Sequence, residues 1–319
     1  MSYGFASHIG IAAEADWGTA VGATDYIEAF SESLARAIER FETRNIVGGY
    51  FEPDDSAGVR RFAGDLVFAG HPVSIGYVLN GVLGINSVDT VGADMFRNRF
   101  TALQQDVSSL NPLPPYTLEM FRAGTLVNTS FQLAGVQFGG VQLNVAPNQD
   151  LRVTAATIGK TENNIAKTTP SFPGSPTEAF LFDTCSIQLP GGAAVNRIEA
   201  LTINYTNNLE GIPTLNAANE IAKVRRTGPP MLGVSGTVDF VDRTDYDNFV
   251  SQAEQQMIVS FVKANSFALV LDMPRLVFTE FPINIAGRER LTVDFSMKGR
   301  YHTGSAAAIQ VDLTTVNTF

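Results

Sequence analysis

One pattern of strands is written twice in this chain. "VQFGGVQLNVAPNQDLRV" runs from Val136 to Val153, and "LVFTEFPINIAGRERLTV" from Leu276 to Val293. The letters mostly differ, but the apolar columns agree. Val136, Phe138, Val141, Leu143 and Val145, shifted by 140 positions, become Leu276, Phe278, Phe281, Ile283 and Ile285. Alternation with period two marks a strand with one buried face. Both copies slip by one residue at the same place, after Phe138 and after Phe278. An extra residue in a strand is a β-bulge, which bends and twists the sheet. Turn residues follow in "APNQD" and "AGRER". Leu151, Val153, Ala155 and Thr157 then match Leu291, Val293, Phe295 and Met297, and Gly159 matches Gly299. Such a chain is predicted to build one bulged antiparallel hairpin twice.

The echo extends upstream. "TLEMFR" (Thr117–Arg122) falls on "MIVSFV" (Met257–Val262), with Phe121 on Phe261. "GDLVF" (Gly64–Phe68) falls on "GTVDF" (Gly236–Phe240), now 172 positions apart. Ile75, Val78, Leu79, Val82 and Leu83 have the spacing of one helix face, and Tyr246, Phe249, Val250 and Ala253 repeat it. Pro72 suits the first turn of the first helix, and Asp242 or Thr244 the cap of the second. Glu32 and Glu199 open "ESLARAIERF" and "EALTINYTNN", a further match at the start of the unit.

The shift falls from 171 to 140 because the first half carries extra residues within Gly84–Pro115. "MFRNRFTAL" there alternates like a strand, while Phe96, Phe100, Leu103 and Val107 also fit a helix face; "NPLPP" breaks regular structure and favours a strand followed by a loop. "KTTPSFPGSPTEA" (Lys167–Ala179) is a linker by composition. The expected organisation is an arm over 1–30, a first unit over 31–165 with an insertion near 84–115, a linker over 166–180, a second unit over 181–302 and an arm over 303–319. The fold class is α+β, mainly β: a tandem duplication of an antiparallel β-sandwich or barrel-like unit with one flanking helix per unit.

Composition narrows the function. The net charge is −10, so general nucleic-acid binding through a basic surface is excluded. Charged residues are only 17%, which suits a surface covered by partner subunits. There is one cysteine, Cys185, so the chain holds no internal disulfide. It reads as a buried small side chain rather than a nucleophile. "MSYGFASHIG" lacks the basic and apolar regions of a signal peptide, and no apolar run approaches a membrane span; a protein made in a cytoplasm is expected. His8, His71 and His302 lie far apart with no acid at ligand spacing, so no metal site is expected. No nucleophile elbow or phosphate loop is present, and neither catalysis nor a cofactor is expected. Asp242, Asp245 and Asp247 suit a helix N-terminus better than Ca²⁺, lacking the closing glutamate of an EF-hand. Glu52, Asp54 and Asp55 read as a solvated or interface loop. Trp17 either anchors an arm on a neighbour or caps the core.

Three phrases, "IGIAAEADWGTAV", "GVRRFAGDLVFAGHPVSIGYVLNGVLG" and "YTLEMFRAG", resemble the major tail, or tail tube, proteins of long-tailed bacteriophages with non-contractile tails. The resemblance covers the first half and, through the repeat, the second. It implies a β-sandwich unit with a flanking helix. It further implies subunits that pair sheet edges around a ring, and rings that stack into the conduit for genome ejection. Two units per chain then make a trimer with pseudo-sixfold symmetry. Implied partners are the chain itself, tape measure, tail terminator and distal tail proteins, and DNA in transient passage without sequence readout, with no membrane. The implied location is the virion tail, assembled in the host cytoplasm. Inter-ring candidates are Trp17, Glu52, Asp54, Asp55, Arg60, Arg61, Arg225, Arg226 and Phe319. Candidates for the lumen wall and ring-closing strands are Gly64, Phe68, Phe138, Asn144 and Val153, with Gly236, Phe240, Phe278, Asn284 and Val293. The acidic balance is expected to line the lumen and let DNA slide.

Three other classes compete. An outer-membrane barrel shares the alternation and a terminal Phe319, but not the helices or the linker. A carbohydrate-binding or adhesin module would want an aromatic platform, and the chain has one tryptophan. An enzyme would need a constellation that the chain lacks.

Overall fold

A computed structural model describes residues 4–42, 55–103, 113–124, 128–172, 178–190, 194–215, 219–263, 266–284 and 290–319. The first half runs β1 (His8–Ala13), β2 (Asp25–Ile27), β3 (Ala29–Glu32), β4 (Ala35–Glu42), β5 (Asp55–Ala69) and helix α1 (Ile75–Leu83). It continues with β6 (Gly84–Gly92), β7 (Met95–Ala102), β8 (Tyr116–Phe121), β9 (Thr129–Val145), β10 (Arg152–Gly159) and β11 (Thr161–Ala166). The second half runs β12 (Cys185–Gln188), β13 (Ile198–Thr206), β14 (Leu209–Pro213), β15 (Ile221–Arg226), β16 (Met231–Asp239) and helix α2 (Thr244–Ser251). It ends with β17 (Gln255–Val262), β18 (Ala268–Glu280), β19 (Thr292–Gly299) and β20 (Gln310–Thr315). The fold is α+β and mainly β, in antiparallel sheets, as the strand pattern predicts.

The two repeated hairpins pair alike. In β9–β10, Phe138 stands opposite Thr157 and Gly140 opposite Ala156, so Gly139 is the extra residue. In β18–β19, Phe278 stands opposite Met297 and Glu280 opposite Ser296, so Thr279 is the extra residue. The slip in the apolar columns is therefore a bulge at the same step of both hairpins. Upstream, Ala35 faces Ala63 across β4–β5, and Thr202 faces Ser235 across β13–β16, at the shifts read from the sequence.

Two alignments are corrected. Tyr116 and Leu118 face Val136 and Leu133, whereas Gln255 and Met257 face Leu276 and Met273. The shift between β8 and β17 is thus 139, and Phe121 corresponds to Ser260, not Phe261. One residue exchanges the faces of a strand, and the shared phenylalanine had drawn the match onto the wrong face. Phe68 faces Val153, but Val293 faces Val238 rather than Phe240. That slide of two residues keeps every side chain on its face. It leaves Phe240 just past the end of β16, its N–H donating to Leu291 O at 3.0 Å. Gly159 allows the β5–β10 contact, since a Cβ there would lie 1.8 Å from the Phe62 ring.

Two layers share one core. The larger sheet runs β4–β5–β10–β9–β13–β16–β19–β18 through both halves. β9 serves both layers: its first part pairs with β8 and β11, its second with β10 and β13. β18 likewise pairs first with β17 and β20, then with β19. Helix α1 closes the first half, with the five predicted apolar residues all buried. Pro72 lies in the turn before α1 rather than in its first turn. At α2 the Asp242 carboxylate caps, accepting the Thr244 N–H at 2.8 Å. Its predicted apolar face is only partly present. Tyr246 and Phe249 are half-buried, Val250 is 62% exposed, and Ala253 lies beyond the helix end, where Gln252 turns left-handed.

The expected arms hold strands paired within the chain. β1 lies between β2 and β8. β20 lies between β18 and β7. The insertion is a β6–β7 hairpin, with "MFRNRFTA" a strand as predicted, and the "NPLPP" loop falls largely outside the described residues.

Candidate assembly surfaces

The two halves meet edge to edge. Val145, Asn144, Leu143, Gln142, Val141 and Gly140 of β9 face Leu201 through Thr206 of β13. Alternate pairs point inward, where Leu143, Leu201, Ile203 and Tyr205 are buried. The others point away from the core, where the Thr202 hydroxyl donates to Asn144 Oδ1 at 2.8 Å and Gln142 Nε2 to the same oxygen at 3.2 Å. Gly140 lets the strands close, since a Cβ there would lie 2.8 Å from Tyr205 O.

The face turned from the core is small and polar. It presents Gln142 and Asn144 on β9, Thr154 on β10, Thr202 and Asn204 on β13, Ser235 and Thr237 on β16, and Ser296 on β19. Thr237 Oγ1 donates to Asp294 Oδ1 at 2.7 Å. Asp65, Asp239, Asp294 and Glu280 on this face are largely offset by Arg61, Arg152 and Lys298. The acidity expected of an inner wall is therefore not concentrated here. An outer-membrane barrel would need an apolar band on its outward face, and this sheet does not close on itself.

The ends of the large sheet differ. At one end, β4 is exposed along its whole length, with Ile38 48% and Phe41 58% exposed. Its one strand partner among the described residues is β5. At the other end, Phe281–Asn284 run on past β18 and belong to no strand.

The inter-ring candidates do not gather at one place. Trp17 donates from Nε1 to Gly135 O at 3.0 Å, with the Lys160 ammonium over its ring at 4.9 Å, so it packs on its own chain. Phe319 also packs inward, 4.9 Å from the Tyr77 ring and 6.2 Å from Phe100. Glu52 and Asp54 lie outside the described residues. Asp55 accepts from Arg40 at 2.7 Å, and Arg61 lies 3.7 Å from Glu39. Arg60 N–H donates to Asn219 O at 2.7 Å, bringing the start of β5 against the β14–β15 hairpin. Arg225 faces Glu210 across that hairpin, and Arg226 donates to Leu103 O at 2.9 Å. Asp55, Arg60 and Arg61 thus share one end of the first half.

Most wall candidates are core residues. Phe68, Phe138, Val153, Phe278 and Val293 are buried, and Phe240 is half-buried. Gly64 admits the backbone of Ser33, between β3 and β4, and Gly236 that of Ala200 on β13. Only Asn144 belongs to the polar face, and Asn284 is exposed beyond β18. The polar letters between the apolar columns, as in "TINYTN" and "SGTVD", were the signal for the rest of the face.

Chemistry finds no foothold among the described residues. No group of three His, Cys, Asp or Glu side chains could hold a metal, and no helix is long and apolar enough to cross a membrane. Burial pushes the Cys185 thiol up to about 11, away from nucleophilic use. His8 is buried 3.7 Å from Glu119, and burial holds its imidazole below its ordinary value.

Comparison with known proteins agrees with a structural role. No individual curated protein matches the chain. Residues 4–272, which span both halves, match the family described as phage tail tube protein. The chain belongs to that family, and it is a structural component of a phage tail rather than an enzyme.

Proposed function

We propose that three copies of this chain close into a ring of six near-equivalent units, and that stacked rings form the conduit for genome ejection. The observation that carries the reading is the β9–β13 joint: two units of one chain already meet strand to strand in a single sheet. The chain would be two copies of one unit, over about 4–166 and 182–315. The matching bulges support this, as do short 3-10 turns at Gly4–Ala6 and Phe182–Thr184. Following those turns, Ile9 faces Met120 and Ile187 faces Val259, corresponding residues of β8 and β17. β20 stands to β18 as β11 stands to β9.

Dimensions favour a multi-chain ring. Strands about 4.8 Å apart, tilted about 40°, would put eight strands on a barrel roughly 16 Å across, filled by its own side chains. Twenty-four strands, eight from each of three chains, would span roughly 45–50 Å between backbones and leave room for a duplex. In this arrangement the polar face lines the lumen. Nearly balanced charge and short hydroxyl and amide groups give phosphates no run of cations to hold. Tape measure, terminator and distal tail proteins would occupy the ends and interior of the tube, which assembles in the host cytoplasm.

Negative-stain microscopy of the purified chain with a tail-initiating complex should reveal hollow tubes, and the mass of a dissociated ring should be that of three chains. Dispersed monomers under all conditions would sink the reading. Asp65→Lys with Asp294→Lys is expected to leave tubes intact and slow genome delivery, because each added cation recruits phosphate. The slowing should shrink as salt rises. Loss of tubes instead would make these residues interface groups.

A further inference from the structure

We infer that neighbouring copies join in one fixed register, with Ala35 of one copy opposite Asn284 of the next and Ile38 opposite Phe281. This rests on the ring proposed above and names the strands and residues of the joint between chains.

The template is the joint inside the chain. β4 corresponds to β13 at a shift of 167, since Ala35–Ala63 and Thr202–Ser235 are matching pairs. The end of β18 corresponds to the end of β9 at a shift of 140, since Phe138–Thr157 and Phe278–Met297 are matching pairs. Thr202 opposite Asn144 therefore becomes Ala35 opposite Asn284, and Tyr205 opposite Val141 becomes Ile38 opposite Phe281. Both edges lack a strand partner among the described residues. They lie at opposite ends of one sheet, so a second copy is the occupant that brings them together.

The side chains agree with the register. Val141 and Tyr205 face the core in the internal joint, and Phe281 is already buried at 3%. Ile38, 48% exposed in the single chain, would pack beside it. Ala35 and Asn284 would fall on the polar face, as Thr202 and Asn144 do. Pro282, opposite Ala37, takes the place of Gln142, whose N–H points away from β13 because the bonded pairs alternate from Asn207–Gly139, so its missing N–H costs the joint no donor. The pairing ends at Ile38. Beyond it Glu39 would meet Glu280, but β4 shifts register between Ile38 and Arg40, and Glu39 turns toward Arg61.

Cysteine cross-linking in assembled tubes tests the register. Opposed residues of antiparallel strands have Cα atoms about 4.5–5.5 Å apart, within disulfide reach. In a Cys185→Ser background, Ala35→Cys with Asn284→Cys should oxidise to species of two and three chain masses on a non-reducing gel, reversed by reductant. Ala37→Cys with Asn284→Cys, two residues out, should remain single chains. Tubes in which the second pair bridges, or neither does, overturn the register and leave the tube reading standing. Failure of the Cys185→Ser chain itself to form tubes counts against the tube reading. As a second variant, Ile38→Glu should abolish tubes while the isolated chain keeps its thermal midpoint. Tubes of normal yield from Ile38→Glu would overturn the inference.

Discussion

Phe138→Ala lowers the stability of the isolated chain by about 3–5 kcal/mol, seen as a fall in the denaturant midpoint. Phe138 is fully buried. Its ring stands edge-on to Tyr116 at 5.4 Å and directly beneath Gly81 of α1, where a Cβ would come within 2.4 Å of it. Helix, β8 and β9 all close on this ring, so little can collapse into the space it leaves. The partner position supplies the control. Phe278 is 7% exposed and packs against Phe281 at 5.5 Å and Phe295 at 6.0 Å. Its helix, α2, is the more exposed one. Phe278→Ala should cost less than Phe138→Ala. Equal losses would mean that α1 does not confine Phe138 as its contacts indicate.

Glu14→Ala should cost about as much, for a different reason. Glu14 is buried, and its carboxylate accepts three hydrogen bonds: from Gly18 N–H at 2.7 Å, Thr117 Oγ1 at 2.7 Å and Gly135 N–H at 2.9 Å. Truncation strands two buried donors and the half-buried Gly18 N–H at about 1–3 kcal/mol each, or about 3–5 kcal/mol after partial relaxation. Gly135 has φ +69°, and it is where β9 passes from one layer to the other. Glu14 holds its N–H while Trp17 holds its carbonyl. Glu14→Gln keeps one accepting oxygen and should recover part of the loss. A denaturation series on the two variants checks the order. Equal loss in both would point to charge rather than to the count of hydrogen bonds.

The hairpins were legible because alternation and bulge are local properties. Six residues around Phe138 and Phe278 carry both the faces and the slip. β8 against β17 failed by one residue because Phe121 and Phe261 are alike in letter but not in face. The arms failed because the partner of a short strand is remote. His8–Ala13 pairs with Tyr116–Phe121, and Gln310–Thr315 with Ala268–Asp272. Alternation was present in "HIGIAA" and "QVDLTT", but nothing nearby says which edge receives them. The wall candidates were drawn from the conspicuous apolar columns, which the fold buries. The polar columns between them form the surface.

The β6–β7 hairpin has a mechanical consequence. Through β7 it grips β20, so the two halves of one chain are stitched in both layers, by β9–β13 and by β7–β20. Among the described residues the second half has no such hairpin, and in the proposed ring the β4 joint would link one copy to the next. A ring of three chains would alternate three doubly sewn seams with three singly sewn ones. Bending or pulling such a tube would open it along the single seams first, which makes the chain rather than the unit the brick that comes away.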